Sequence, residues 1–117
     1  MVDMAENAIN DAQLEELVDV LGQERVLAGI DELTGFVEIL INTATADAPV
    51  TDELRRLAHK VAGLSANLGF TGMSAFCVGL EHGDAPTITA TGAGQLAVLA
   101  AGITLQRAVL SRASKAR

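Results

Sequence analysis

Apolar residues recur every three or four positions along most of this chain, which is the period of a helix buried on one face. No segment alternates apolar and polar residues in the manner of a strand. The pattern breaks at Gly22, at Gly69, at Gly83 and in the segment 42–49, where glycine or proline ends a helix. The chain is therefore expected to be all-α, with five helices and short connections.

The first two predicted helices meet at a glycine. Asn10 or Asp11 can cap a short first helix, because a side-chain oxygen there accepts a hydrogen bond from a free backbone N–H. Gly22 ends this helix. The second helix begins near Gln23 and ends in the segment 42–47, before a proline.

The next three helices are bounded by threonines and glycines. Thr51 is expected to cap the third helix and Gly69 to close it. Thr71 is expected to cap a fourth helix that ends at Gly83. A fifth helix is predicted over about 89–113.

Chain length and helix number together predict the architecture. The 117 residues, half of them apolar, suit one domain over 1–117 with a bundle core over about 10–113. Four long helices with short connections predict an antiparallel up-down-up-down four-helix bundle with a short additional N-terminal helix.

Composition excludes several classes of protein. Cys77 is the only cysteine, so neither an internal disulfide nor a zinc ribbon can form, and no cofactor is expected. The segment 85–106 has no charge but contains four Thr, three Gly, two Gln and a Pro, which is too polar for a membrane helix. Without a basic N-terminal region to suggest a signal peptide, we expect a cytoplasmic protein.

The charge is unevenly distributed. Residues 1–50 hold eleven acidic residues and one basic residue, a net of −10, whereas residues 51–117 have a net of +3. The acidic half should repel phosphate backbones and anionic membranes. With no Trp or Tyr and only three Phe for base stacking, neither nucleic acid nor membrane is expected as a partner, and a monomer is expected.

The third helix presents a histidine away from its apolar face. On a helical wheel, one continuous core face lies opposite His59 and comprises Leu54, Leu57, Ala58, Val61, Leu64, Ser65 and Leu68. Arg55 and Arg56 lie on the preceding turn of the histidine side, Gly63 on the following turn, and Lys60 beside it. Ala62 falls on the same side.

This combination has a chemical interpretation. Neutral imidazole is a good nucleophile toward a phosphoryl group, and Gly63 would leave room for another protein to approach His59. Arg55, Arg56 and Lys60 could offset the negative charge of a phosphorylated product. The alternative is a surface histidine among solvated bases, which has no function.

The residues from Ala58 to Gly69 resemble the signature of histidine-containing phosphotransfer (Hpt) domains. That signature has an aliphatic residue two positions after the histidine, often lysine three after, glycine four after and glycine ten after. Here these places hold Val61, Ala62, Gly63 and Gly69, so only the lysine is missing.

The resemblance implies a function. A phosphorylated receiver domain would dock over His59 and transfer its phosphoryl group from an aspartate to the imidazole, and a second receiver would take it. It also implies no autonomous nucleotide-dependent kinase activity, with Mg²⁺ held only by the receiver. Lys60, Arg55 or Arg56 would replace the missing lysine.

The remaining histidine and the cysteine have structural explanations, and two other functions compete with phosphotransfer. His82, before Gly83, is explained by capping of a helix end, and Cys77 by burial. The rivals to phosphotransfer are a histidine-kinase dimerisation fragment and a non-catalytic helical interaction module, which would be a decayed Hpt-like bundle. Lys60 argues against the first, because kinase helices usually carry an acid directly after the histidine.

Overall fold

A computed structural model describes residues 8–115, with side chains through residue 112. This part of the chain contains helices and no strand longer than a single bridge. The five helices are α1 (Asp11–Leu21), α2 (Gln23–Thr43), α3 (Asp52–Leu68), α4 (Thr71–His82) and α5 (Ala90–Lys115). The all-helical prediction is confirmed, and each helix lies within a few residues of its expected position.

Two of the three predicted helix caps are present. The side chain of Asn10 accepts a hydrogen bond from the backbone of Gln13, and that of Thr51 accepts one from Leu54. The expectation that Thr71 caps α4 is wrong, because Thr71 is the first helical residue and Phe70 occupies the N-cap position. The buried Phe70 instead anchors the start of α4 in the core.

The core forms where the apolar stripes of the helices meet. In the described part of the chain, α3 packs between α2 and α4, and α5 packs against α2 and α4. The core includes Leu33 and Leu40 of α2, Leu54 and Val61 of α3, and Leu96 of α5, each no more than 1% exposed.

Ala62 departs from the sequence-based expectation. The helical wheel placed it on the side of His59, yet it is only 6% exposed. The reason is that α4 packs against α3 on this side, next to Arg55, whose guanidinium contacts α4. The buried surface of α3 is therefore wider than its apolar stripe.

The start of α1 is bonded to the turn between α3 and α4. The backbone N–H of Asn10 donates to the carbonyl of Gly69 at 2.7 Å, and the side-chain amide of Gln13 donates to Ala66 O at 2.8 Å. Gly69 has a φ of +86°, and a Cβ there would lie 3.0 Å from the carbonyl oxygen of Asn10. The close approach of α1 thus requires glycine at the end of α3.

Helix α5 is apolar on more than its core side. Among the described residues it is the one helix, over Ala90–Arg112, that is long and apolar enough to span a membrane by length and composition, which is weak support for a span. Arg107 ties it to α2 through an ion pair with Asp31, Nε to Oδ1 at 2.5 Å. The hydrogen bond from Arg107 is the main cause that lowers the pKa of Asp31.

Gly69 and Gly63 form a matched pair for a stability test. Replacing Gly69 with Ala forces a side chain into a left-handed conformation against a carbonyl, so the free energy of unfolding should fall by about 1–3 kcal/mol. Replacing Gly63 with Ala meets nothing within 4 Å and should raise it by up to about 1 kcal/mol. Urea unfolding followed by circular dichroism measures both, and equal effects would contradict the account of Gly69.

Candidate functional site

His59 projects from α3 into solvent beside the C-terminal end of α4. Its side chain is 74% exposed, and its Nδ1 lies 2.8 Å from Oε1 of Glu81, a residue of the last turn of α4. A carboxylate only accepts hydrogen bonds, so the contact assigns the imidazole proton to Nδ1. In the neutral ring, Nε2 then carries the free lone pair and is the nucleophilic atom.

Sequence reasoning did not assign any role to Glu81. The carboxylate is only 20% exposed, whereas the histidine it holds is open to solvent. One signal could have identified it: Glu81 is the single acidic residue in α4. An isolated carboxylate in an otherwise uncharged helix suggests a specific partner.

Arg55 lies close to His59 but is engaged with α4. One terminal nitrogen of its guanidinium donates to the backbone carbonyls of Leu80, Glu81 and Gly83, at 3.2, 3.0 and 2.6 Å. These are carbonyls that a helix end leaves without intrahelical partners. The positive charge of Arg55 is therefore held at the rim of the site by the end of α4.

The same contact changes the interpretation of His82. The sequence suggested that His82 caps the end of α4, but Arg55 binds the carbonyls there. His82 Nε2 instead lies 3.6 Å from Oε2 of Glu81. Glu81 thus lies between two imidazoles, with the closer contact to His59.

Lys60 and Arg56 lie on the other side of the histidine. The ammonium of Lys60 is 4.3 Å from the centre of the Phe36 ring of α2, a cation–π distance that directs it away from Glu81. Arg56 is exposed and makes no ion pair with any described residue. Arg56 lines the open depression over the histidine together with Arg55, His59 and Glu81.

Gly63 lies one turn beyond His59 and is exposed. A Cβ built on it would have no neighbour within 4 Å, so no packing inside the described chain requires glycine here. Because His59 meets Glu81, the turn of α3 that holds Gly63 lies beside the turn of α4 that holds Val78, which is 45% exposed. On this side of the histidine, the surface therefore includes an exposed glycine and an exposed valine.

The described residues contain no group of three or more His, Cys, Asp and Glu side chains that could hold a metal ion. Cys77, predicted to be buried, is fully buried, and burial raises the pKa of its thiol to about 12. Its Sγ lies 3.9 Å from Sδ of Met73 in the core. The chemistry available at the surface around His59 is therefore that of an imidazole oriented by Glu81 beside Arg55 and Arg56.

Comparison with known proteins identifies the family of this chain. Searches of curated proteins and of solved structures found no match to this chain. The family model described as Hpt domain, however, matches residues 5–113, which is nearly the whole chain. This chain therefore belongs to the Hpt domain family, whose members act as phosphotransfer carriers in two-component signalling and interact with receiver domains.

Proposed function

We propose that His59 accepts a phosphoryl group from the aspartate of a receiver domain and passes it to the aspartate of another receiver. The observation that carries this proposal is the hydrogen bond between His59 Nδ1 and Glu81, on an exposed histidine of an Hpt domain. It leaves Nε2 as the outward nucleophile. The proposal includes a cytoplasmic single domain over 1–117, on an antiparallel up-down bundle.

The only group of this chain that reacts in the transfer step is the imidazole of His59, and the partner supplies the phosphoaspartate. The lone pair of His59 Nε2 forms the bond to phosphorus as the bond from phosphorus to the aspartyl oxygen breaks, and the carboxylate leaves. The ring becomes cationic, because Nδ1 keeps its proton. Mg²⁺ would belong to the receiver, and no cofactor is needed on this chain.

In this proposal Glu81 acts on the histidine both before and after it is phosphorylated. Before transfer it fixes the tautomer and the ring orientation, which places the lone pair toward the partner. After transfer it faces a positively charged ring, and the attraction between a carboxylate and an imidazolium stabilises the phosphorylated form. Arg55 and Arg56 face the added phosphate from the rim of the depression.

The basic residues then have separate roles. Arg55 supplies a fixed charge, because three carbonyls hold its guanidinium. Arg56 is the exposed charge that can steer an acidic receiver surface toward the site. Lys60 is engaged with Phe36, so a direct contact with the phosphoryl group would require it to leave the ring.

Replacement of His59 tests the proposal directly. His59→Gln should abolish labelling by a phosphorylated receiver while the helical circular dichroism spectrum is retained, since the side chain is exposed. The label on the unmodified chain should be lost in acid and kept in base, as a phosphoramidate requires. Labelling of the Gln variant would overturn the assignment, and the absence of any transfer across a receiver panel would favour a non-catalytic module.

Glu81 is tested by comparing an isosteric with a truncating replacement. Glu81→Ala removes both the hydrogen bond and the charge, so the single-turnover transfer rate should fall about tenfold or more. Glu81→Gln keeps an oxygen that accepts from Nδ1 and should lie between Ala and the unmodified chain. Asp84→Ala removes an equal charge from the next loop and serves as the control. Transfer at the unmodified rate in Glu81→Ala would mean that Glu81 does not position the histidine.

Gly63 tests whether the partner needs the surface beside His59. Gly63→Gln adds a side chain into open space, so the fold should be retained or slightly stabilised. Transfer should fall by about tenfold or more, because the side chain occupies the path of the receiver. Gly94→Gln is the matched control: Gly94 also has open space but lies on α5, away from His59, so this variant should transfer at the unmodified rate. Unimpaired transfer in folded Gly63→Gln would show that the receiver docks elsewhere.

A further inference from the structure

The side of α5 that faces solvent is rich in apolar residues and carries no charge from Ala90 to Gln106. Val98 is 62% exposed, Leu105 64% and Val109 47%. One residue in five of the chain is charged, but no residue from 85 to 106 is. Single exposed apolar residues are common, but several of them along an uncharged stretch of one helix indicate contact with another surface.

The spacing on this face is that of a helix that packs against another helix. Gly94, Val98, Ala101, Leu105 and Ala108 follow one another at intervals of four and three, which is the spacing of a coiled-coil seam. The next position in this spacing is the exposed Arg112, which ends the apolar run. Small residues alternate with larger ones along it. We call these five residues the α5 seam.

Packing among the described residues does not require the glycines on or beside the seam. A Cβ built on Gly94 or on Gly102 would have no neighbour within 4 Å. Glycine destabilises the interior of a helix, so its presence at these two open positions indicates that another helix packs closely against α5 there. Such close packing is what small residues at a helix crossing allow.

The seam is complementary to itself. We propose that α5 of two copies packs antiparallel about a point between Ala101 and Gly102, forming a weak homodimer. In this arrangement Val98 of one copy lies opposite Leu105 of the other, and the small residues meet where the helices cross. The two helix dipoles then oppose each other, which is the favourable orientation.

Length and area set the strength of this dimer. The α5 seam spans about 21 Å at the rise of an α-helix, and a helix pair of that length buries on the order of 1,000 Å² in total. That is the lower limit for a specific interface, so dissociation in the micromolar range is expected. Two copies of net charge −7 also repel each other, and added salt should therefore tighten the dimer.

A lipid bilayer fits the same surface less well. The seam is shorter than the roughly 30 Å of a hydrocarbon core. The opposite side of α5 is committed to the bundle through the buried Leu96, Leu99 and Ile103. Arg107 is also paired with Asp31 of α2, so a spanning α5 would have to break this ion pair.

The dimer would leave the histidine accessible in both copies. Helix α5 packs against α2 and α4, whereas His59 lies on α3, which packs between the same two helices. The seam and the histidine thus belong to separate surfaces, and the inference stands independently of phosphotransfer.

Sedimentation velocity from about 10 µM to about 1 mM tests the inference on the full chain. The dimer fraction should rise with concentration and with salt. Leu105→Glu should weaken dimerisation about tenfold or more, with an unchanged helical circular dichroism spectrum, because Leu105 is exposed. Ile39→Glu is the matched control: Ile39 is 53% exposed on α2, and this variant should dimerise like the unmodified chain.

Cysteine cross-linking tests the register. Ala101→Cys should form an intermolecular disulfide under mild oxidation, because it lies next to the crossing point of the two helices. Ala97→Cys is exposed on the same helix but lies more than four residues from that point, and it should not. The native Cys77 is buried and provides the unmodified background. A monomer at every concentration, as the sequence led us to expect, would overturn the inference. The inference would also be overturned if both glutamate variants lost dimerisation equally, or if cysteines at the two positions cross-linked equally. Binding of the monomer to phosphatidylcholine vesicles through Leu105 would overturn it as well.

Discussion

The close packing of α3 against α4 is the constraint on which the histidine site depends. Small buried side chains, Ala58 and Ala62, line α3 in this region, so the two helix backbones can approach each other. At this separation His59 reaches Glu81, and Arg55 reaches the last carbonyls of α4. The positions of the exposed side chains at the histidine site therefore depend on the small size of Ala58 and Ala62, which are buried and would not contact a docking partner.

Local patterns predicted the helices well because each signal acts within a few residues. The cap at Thr51 and the left-handed Gly69 follow from groups next to them in sequence. The contact between His59 and Glu81 could not be predicted in this way, because it depends on how two helices align along each other. The helical wheel also grouped Arg55 with Lys60, yet their long side chains found different partners, the end of α4 and the Phe36 ring.

The glycines of this chain divide by what surrounds them. Gly69 and Gly72 are required inside, since a Cβ at either would lie about 3 Å or less from α1 or the segment before it. Gly63, Gly94 and Gly102 have open space around them. Gly69 and Gly72 explain how the bundle closes at one end. Gly63, Gly94 and Gly102 belong to a larger group of open glycines, and they lie on the two surfaces proposed above to contact other molecules.

The attachment of Arg55 to the end of α4 affects how charge acts at the histidine. A guanidinium held by three carbonyls cannot swing toward an incoming phosphate, so it does not tighten around the product as a free side chain would. Its field is already in place, and no reorganisation is needed when negative charge arrives. A carrier must release what it accepts, and a cation that attracts the phosphoryl group without closing on it leaves the return path open.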